Sequence, residues 1–240
     1  SSTPNKRKTM LVKNWMTQPV ITIDKSDTIG LATQLMTENR IRTIPVVSEG
    51  KLVGIISDRD LKKVSVSGGT GLEAPKVAYF NTRVKVGSFM TKDVITVSPD
   101  TTVDEVAKIM MDKKISGIPV VESSGELVGI ITQGNIFKLL ISLTGIESEG
   151  TQVAVEISTD TGSVKQVADA IRGVGGRIGA LLTSYENVPE GFRHAYFKAY
   201  DLNEENVKEL IANLEGKVKI LYVFEHAGDM TPPKIMLMNI

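Results

Sequence analysis

The segment Ile56-Ser57-Asp58-Arg59-Asp60-Leu61 puts a hydroxyl, a cation and two carboxylates at the point where an apolar run turns polar. If it joins a strand to a helix, the free backbone N–H groups at the helix start and the Ser57 hydroxyl favour a phosphate. Asp60, one turn in, can accept hydrogen bonds from both hydroxyls of a ribose. Arg59, together with Arg42, can pair with phosphate oxygens. Thr43-Ile44-Pro45 offers an apolar edge and unpaired backbone groups beside a proline that cannot donate, a setting suited to an adenine ring, with Thr22 in reach of the same cleft. The spacing Ser57-x-x-Asp60 also serves a plain N-cap pairing, and Ile44-Pro45-Val46-Val47 also serves an edge strand. The residues alone leave both readings open.

Other chemistry is excluded by what is missing. The 240-residue chain has no cysteine, which removes disulfides, thiolate nucleophiles and cysteine-bound metals. His194 and His226 stand outside any spaced ligand motif, so no metal site is expected. No G-x-x-x-x-G-K-[ST] loop is present, and Asp58 and Asp60, at i and i+2 of a helix, do not face one cleft as paired carboxylates would. No catalytic residue is assigned and no enzyme is expected. The 28 basic and 28 acidic side chains cancel, and no basic stripe with interleaved aromatics is visible, so nucleic acid is not an expected partner. No apolar run approaches the roughly 20 residues that span a bilayer, and the expected location is the cytoplasm, away from membranes.

The elements that must position these residues come as a repeat. Met16-Thr17-Gln18-Pro19-Val20-Ile21-Thr22 returns as Met90-Thr91-Lys92-Asp93-Val94-Ile95-Thr96, and Ile44-Pro45-Val46-Val47 returns as Ile118-Pro119-Val120-Val121. Leu52-Val53-Gly54-Ile55-Ile56 returns as Leu127-Val128-Gly129-Ile130-Ile131 after one extra residue at Ser123-Ser124-Gly125, where a hairpin turn tolerates it. In each copy an apolar face at helical spacing (Ile29, Ala32, Leu35, Met36; then Val103, Val106, Ala107, Met110) follows a cap signal at Ser26-Asp27-Thr28 or Ser98-Pro99-Asp100-Thr101. A hairpin and a second helix, from about Asp58 and about Gly134, complete each copy as strand, helix, strand, strand, helix. One copy is too small to bury both faces and is best satisfied by packing on the other. Ser65 to Gly71 has a linker's composition.

These motifs, occurring twice in order, resemble a CBS-domain pair, or Bateman module. The resemblance implies two units around a pseudo-twofold axis, with clefts that commonly take adenosine-containing ligands such as AMP, ADP, ATP, S-adenosylmethionine or cyclic dinucleotides. On it, the first site comprises Thr22, Arg42, Thr43, Ile44, Pro45, Ser57, Arg59 and Asp60. The second comprises Thr96, Ser116, Gly117, Ile118, Pro119, Thr132 and Asn135. There Thr132-Gln133-Gly134-Asn135 replaces Ser57-Asp58-Arg59-Asp60, so a neutral amide stands for the ribose carboxylate and the sites are expected to be unequal. Asn135 is expected to accept one ribose hydrogen bond through its carbonyl, and Lys113 and Lys114 to be solvated helix-end charges.

From Gly150 the pattern changes. Alternating runs at 152–157, 177–185, 194–200 and 218–224, with helical faces around Val164 to Ile171 and Val207 to Leu214, give the order βαββαβ, the ferredoxin-like arrangement. With Asp160-Thr161-Gly162-Ser163-Val164 at the first strand-to-helix turn, this stretch resembles an ACT domain, although Thr161 replaces the usual proline. The expected fold is therefore α/β (α+β): a tail at 1–9, CBS unit 1 with its linker at 10–75, CBS unit 2 at 76–147, an ACT-type domain at 150–227 and a C-terminal tail at 228–240. The order is similar to that of the acetoin-utilisation AcuB family and implies a regulator. An adenosine nucleotide (AMP, ADP, ATP or related) would bind as regulatory ligand with no obligatory cofactor, in a homodimer that signals allosterically to a regulated protein. The alternatives are a constitutive dimeric scaffold, or an amino-acid sensor working through the ACT-like domain.

Overall fold

Two lead-in segments, each just upstream of one copy of the repeat, are built into the core of the other copy. The computed structural model describes residues 9–67, 83–229 and 231–239. Most of the expected tail 1–9, most of the Ser65–Gly71 linker and the 75/76 boundary lie outside the described residues. The chain divides into two units, Ser1–Leu139 and Leu140–Ile240.

In the first unit, copy one runs β1 (Ile23–Asp24), α1 (Ile29–Glu38), β2 (Thr43–Ser48), β3 (Lys51–Ser57) and α2 (Asp58–Ser67). Copy two runs α3 (Val103–Lys113), β4 (Gly117–Val121), β5 (Leu127–Thr132) and α4 (Gln133–Thr144). Its first strand is reduced to one parallel bridge, Val97 to Val120. The Thr28 side chain caps α1. For α3 the cap is Thr102, one residue past the expected Ser98–Thr101 signal, because Thr102 closes a reciprocal capping box with Glu105. The β2–β3 hairpin turns on Glu49-Gly50, both at positive φ, as a two-residue turn requires.

The exchange between the copies is reciprocal. Val12, fully buried, joins Val106, Met110, Ile118 and Ile131 in the core of copy two, with Trp15 and Met16 packed against it. Val86, also fully buried, joins Ile29, Ala32, Ile44 and Ile56 in the core of copy one, with Val84 and Met90 alongside. Burying a valine contributes about 1.5–3 kcal/mol. Thr17 and Ile130 exchange both backbone hydrogen bonds (2.8 and 3.1 Å), and Ile55 and Thr91 do the same at 2.9 Å each. At these crossings Met16 lies where a side chain on Gly129 would stand, and Met90 where one on Gly54 would. The glycines of the two L-V-G-I-I motifs therefore make room for a methionine of the opposite lead-in.

The second unit has the strands β6 (Gly150–Ser158), β7 (Arg177–Ser184), β8 (Phe192–Tyr200), β9 (Lys219–His226) and β10 (Lys234–Met238). Helices α5 (Ser163–Gly173) and α6 (Glu204–Leu214) follow β6 and β8. The sheet order is β10-β9-β6-β8-β7, all antiparallel. Val153, Val155, Ile157, Phe197, Ile171 and Leu210 share one core between sheet and helices. Residues 234–238, expected in a tail, instead pair with β9, and Met236 and Leu237 pack on that core. On the face opposite the core, Tyr222 and Phe224 stack at 4.4 Å. Nearby, Lys198 is 4% exposed with its ammonium 3.3 Å from the Gly150 carbonyl, and burial lowers its pKa.

Filling the crossing should test the exchange. Gly129→Val is expected to cost about 1–3 kcal/mol by overpacking against Met16. Met16→Ala in the same chain should recover part of that loss in urea denaturation. Strict additivity of the two substitutions would mean that they do not touch.

Candidate functional site

Two clefts open between the copies, and each is walled by both. The larger, about 760 Å³, is lined by Ser57, Asp58, Arg59, Asp60, Lys62 and Lys63 from the start of α2, and by Thr91, Asp93, Val94 and Ile95 from the second lead-in. Lys113 to Gly117, from the end of α3 into β4, form the facing wall. The smaller, about 410 Å³, is lined by Thr132, Gln133, Gly134 and Phe137 of α4 and its approach, and by Thr17, Pro19 and Ile21 of the first lead-in. Arg40 to Thr43 face them. Arg42, Thr43, Ser116 and Gln133 line both clefts and so form the partition between them.

The turn into α2 is held by Asp60. Its Oδ2 accepts from the Ser57 backbone N–H (3.0 Å) and from the Ser57 hydroxyl (2.6 Å). Its Oδ1 lies 3.7 Å from the largely exposed Lys63 ammonium, a pair of little strength, and retains acceptor capacity. The second copy builds the same turn with an amide. Asn135 Oδ1 accepts from the Thr132 N–H (2.8 Å) and hydroxyl (2.7 Å), while its Nδ2 donates to the Thr17 hydroxyl at 3.4 Å. Both lone pairs of the Asn135 carbonyl are used, so the ribose hydrogen bond expected of it has no free acceptor. What remains at that position is an N–H donor on a side chain only 7% exposed.

Of the residues singled out from the sequence, Arg42, Thr43, Ser57, Arg59, Asp60, Ser116 and Gly117 line the larger cleft, and Thr132 lines the smaller. Ile44 and Ile118 are fully buried in the two cores, because they sit on the inward face of their strands. Pro45 lies opposite Ile55 and Pro119 opposite Ile130 inside the hairpins. The backbone expected to be unpaired is largely engaged: β2 is the central strand of its sheet, and the Pro119 carbonyl accepts from Val97 N–H at 3.2 Å. Thr22 and Thr96 line neither cleft, since just beyond them the chain turns to pair Ile23 with Val46 and Val97 with Val120. The lead-in residues Thr17, Pro19, Ile21, Thr91, Asp93, Val94 and Ile95, and the helix-end Lys113 and Lys114, were not assigned to a cleft from sequence. The signal that would have found them is the repeat itself, once the lead-ins are crossed over.

A family model described as "CBS domain" matches residues 12–67 and 86–142. An uncharacterised protein of Methanocaldococcus jannaschii is 33% identical over 155 residues, which cover 55% of this chain and 92% of that one. A CBS domain-containing protein of Dictyostelium discoideum is 32% identical, covering 56% of this chain and 93% of its own length. The chain belongs to the CBS-domain family. Two solved structures are similar over the same region. The CBS domain pair of a protein in complex with 5'-methylthioadenosine and S-adenosyl-L-methionine is 34% identical, with a TM-score of 0.47 over 55% of this chain and 96% of that one. An acetoin utilization protein (AcuB) from Vibrio cholerae is 32% identical, with a TM-score of 0.48 over 57% and 94%. An inosine-5'-monophosphate dehydrogenase of Korarchaeum cryptofilum is 37% identical over 127 residues, but the chain covers only 23% of that enzyme. Among the described residues no group of three or more His, Cys, Asp or Glu is placed to hold a metal, and no helix is long and apolar enough to cross a membrane.

The second CBS unit shows that an amide suffices for the turn. Asp60→Asn is therefore expected to change the unliganded stability by less than about 1 kcal/mol, whereas Asp60→Ala, which strands the Ser57 N–H and hydroxyl, should cost about 1–3 kcal/mol. Equal losses for the two variants in chemical denaturation would contradict this division.

Proposed function

We propose that this protein is a regulatory sensor: an adenosine-containing nucleotide binds between the two CBS units and biases their arrangement, and a partner protein reads the result. The observation that carries this reading is the Ser57–Asp60 turn. One carboxylate oxygen is fixed by two donors, which holds the other toward a cleft where cations for phosphate and the apolar side chains of Val94 and Ile95 for a base are also present. The adenosine compounds named for the 34%-identical CBS pair indicate which ligands to try first. Because each cleft is walled by both units, a bound ligand touches both, and its differential affinity for two arrangements becomes the signal. Coupling of about 1–3 kcal/mol is the usual order.

The same reading covers the rest of the chain. The βαββαβ order with β9-β6-β8-β7 adjacent supports a ferredoxin-like, ACT-type C-terminal domain acting as a pairing or relay module. Phe137, Leu140 and Ile141 stand exposed at i, i+3 and i+4 on α4, an apolar stripe suited to a second copy in a homodimer. The absence of cysteine suits a reducing compartment such as the cytoplasm.

Thermal unfolding with AMP, ADP, ATP, S-adenosylmethionine, NAD and cyclic di-AMP, each at about 1 mM, tests the proposal. A ligand at about 100 times its dissociation constant adds about 2.7 kcal/mol and raises the midpoint by several degrees. Asp60→Asn should abolish that shift while leaving the unliganded midpoint in place. A flat response to every adenosine compound would overturn the sensor reading in favour of a constitutive scaffold.

A further inference from the structure

Resting on the adenosine-ligand reading, we infer that the two clefts differ in the number of phosphates they take. The cleft at Ser57–Asp60 is a polyphosphate site, selective for nucleoside di- or triphosphates through Arg59 and Lys113, with Lys114 beside them. The cleft at Thr132–Gly134 is indifferent to phosphate number.

The repeat permits a position-by-position comparison, because each cleft is the other's counterpart. Six cations line the larger cleft: Arg42, Arg59, Lys62, Lys63, Lys113 and Lys114. Lys62 and Lys63 sit 3.6 and 3.7 Å from Asp58 and Asp60 and are partly offset. The other four have no acidic partner among the described residues, and the single remaining acid in the lining is Asp93. In the smaller cleft the counterpart of Arg59 is Gly134, that of Lys62 is Phe137, that of Lys113 is Asn39 and that of Asp93 is Pro19, while that of Lys114 is Arg40, which keeps the charge, so the contrast in cations rests on Arg59, Lys62 and Lys113. Its cations are Arg40 and Arg42, the latter shared across the partition, and much of its remaining wall is Pro19, Ile21, Ile41, Ile130 and Phe137. Its volume is about 410 Å³ against about 760 Å³.

Each further phosphate on a nucleotide adds at least one negative charge and several acceptor oxygens. Four uncompensated cations in a wide cleft match such a tail, whereas two beside an apolar wall do not. The cations also come from both CBS units: Arg59 from α2 of the first, Lys113 and Lys114 from the end of α3 in the second. Lys114 holds a left-handed backbone (φ 56°) as the C-cap of α3, which turns the chain into the cleft wall at Ile115 and Ser116. A polyphosphate tail between Arg59 and this pair draws the two units together, which a nucleoside or monophosphate cannot do to the same extent.

Calorimetric titration of the full chain with adenosine, AMP, ADP and ATP tests the inference. ATP is expected to bind one cleft at least tenfold more tightly than AMP, with an affinity that falls steeply with added salt. Arg59→Ala, and separately Lys113→Ala with Lys114→Asn, which tolerates the left-handed conformation, should each weaken ATP about tenfold or more and AMP less than about threefold. These are exposed side chains, so folding is not at stake. The transplant Gly134→Arg with Phe137→Lys should make the smaller cleft bind ATP at least tenfold more tightly than AMP. It fits sterically, because a side chain on Gly134 meets nothing closer than the Thr132 hydroxyl at 3.6 Å. Two equal ATP sites in the wild type, or equal losses of ATP and AMP in the cation variants, would overturn the partition while leaving the sensor reading intact. Failure of all four compounds to bind would overturn the partition, and the sensor reading would then stand or fall on S-adenosylmethionine, NAD and cyclic di-AMP.

Discussion

Everything in the first unit depends on one reciprocal crossing, in which Thr17 pairs with Ile130 and Thr91 with Ile55. A single CBS unit cannot close its core, because the apolar residue that fills it, Val86 for the first and Val12 for the second, arrives from the lead-in of the other. The crossing is specific on both sides. The two hydrogen bonds at each bridge set the register, and the bare Gly54 and Gly129 accept Met90 and Met16 without a clash. Immediately downstream of each bridge the lead-in becomes the wall of a cleft, through Pro19 and Ile21 on one side and Asp93, Val94 and Ile95 on the other. The interaction that completes the cores thus also builds the clefts. The same lead-in thus fills one core and walls one cleft.

Much of this was legible in the sequence. Apolar spacing places the first helix of each copy, and the one-residue insertion at Ser123-Ser124-Gly125 reappears as the longer of the two hairpin loops. The pairing of Ser57 with Asp60 was legible too, because a hydroxyl and a carboxylate three residues apart at a strand-to-helix turn have few other geometries. What was not legible was the crossing. Two lead-ins with matching motifs fit either copy equally well by local pattern, and only three-dimensional closure decides between them. Missing the crossing moved the expected cleft wall from Ile21 and Ile95 to their neighbours Thr22 and Thr96. Lys113 and Lys114 are the exposed helix-end charges expected of them, and the crossing adds that they also line the larger cleft with Arg59.

The C-terminal unit divides along the same line between local and long-range information. Alternation along β6 and β8 and the capping box of Asn203 and Asn206 at the start of α6 are local, and the βαββαβ order follows from them. The fifth strand is not local. Lys234 to Met238 lacks a strand's alternation, and it is held by pairing with β9 together with ion pairs from Lys234 to Glu204 (2.9 Å) and Glu225 (3.6 Å). Hydrogen bonds from Lys234 and then from Lys208 depress Glu204 to a pKa of about 2. Because the folded pKa lies below the ordinary carboxylate value, whatever the pair contributes is present above that ordinary value and is lost as the pH falls toward 2. The contribution is small for groups so exposed.

The two CBS turns separate what folding demands at one position from what a ligand would demand. Folding needs an oxygen three residues into the turn to receive the N–H and hydroxyl of the preceding Ser57 or Thr132, and both Asp60 and Asn135 supply it at nearly the same distances. The two side chains differ only in the remaining atom. In Asp60, which lines the larger cleft, it is a second acceptor oxygen 3.7 Å from the Lys63 ammonium; in Asn135 it is a donor nitrogen 3.4 Å from the Thr17 hydroxyl of the crossing lead-in. The amide therefore ties its turn to the lead-in with its carbonyl already filled, while the carboxylate keeps a second oxygen with acceptor capacity. One atom at pseudo-equivalent places thus makes one turn a structural tie between the CBS units and leaves a spare acceptor at the other, and a duplicated fold needs no larger change than this to make its two clefts chemically unequal.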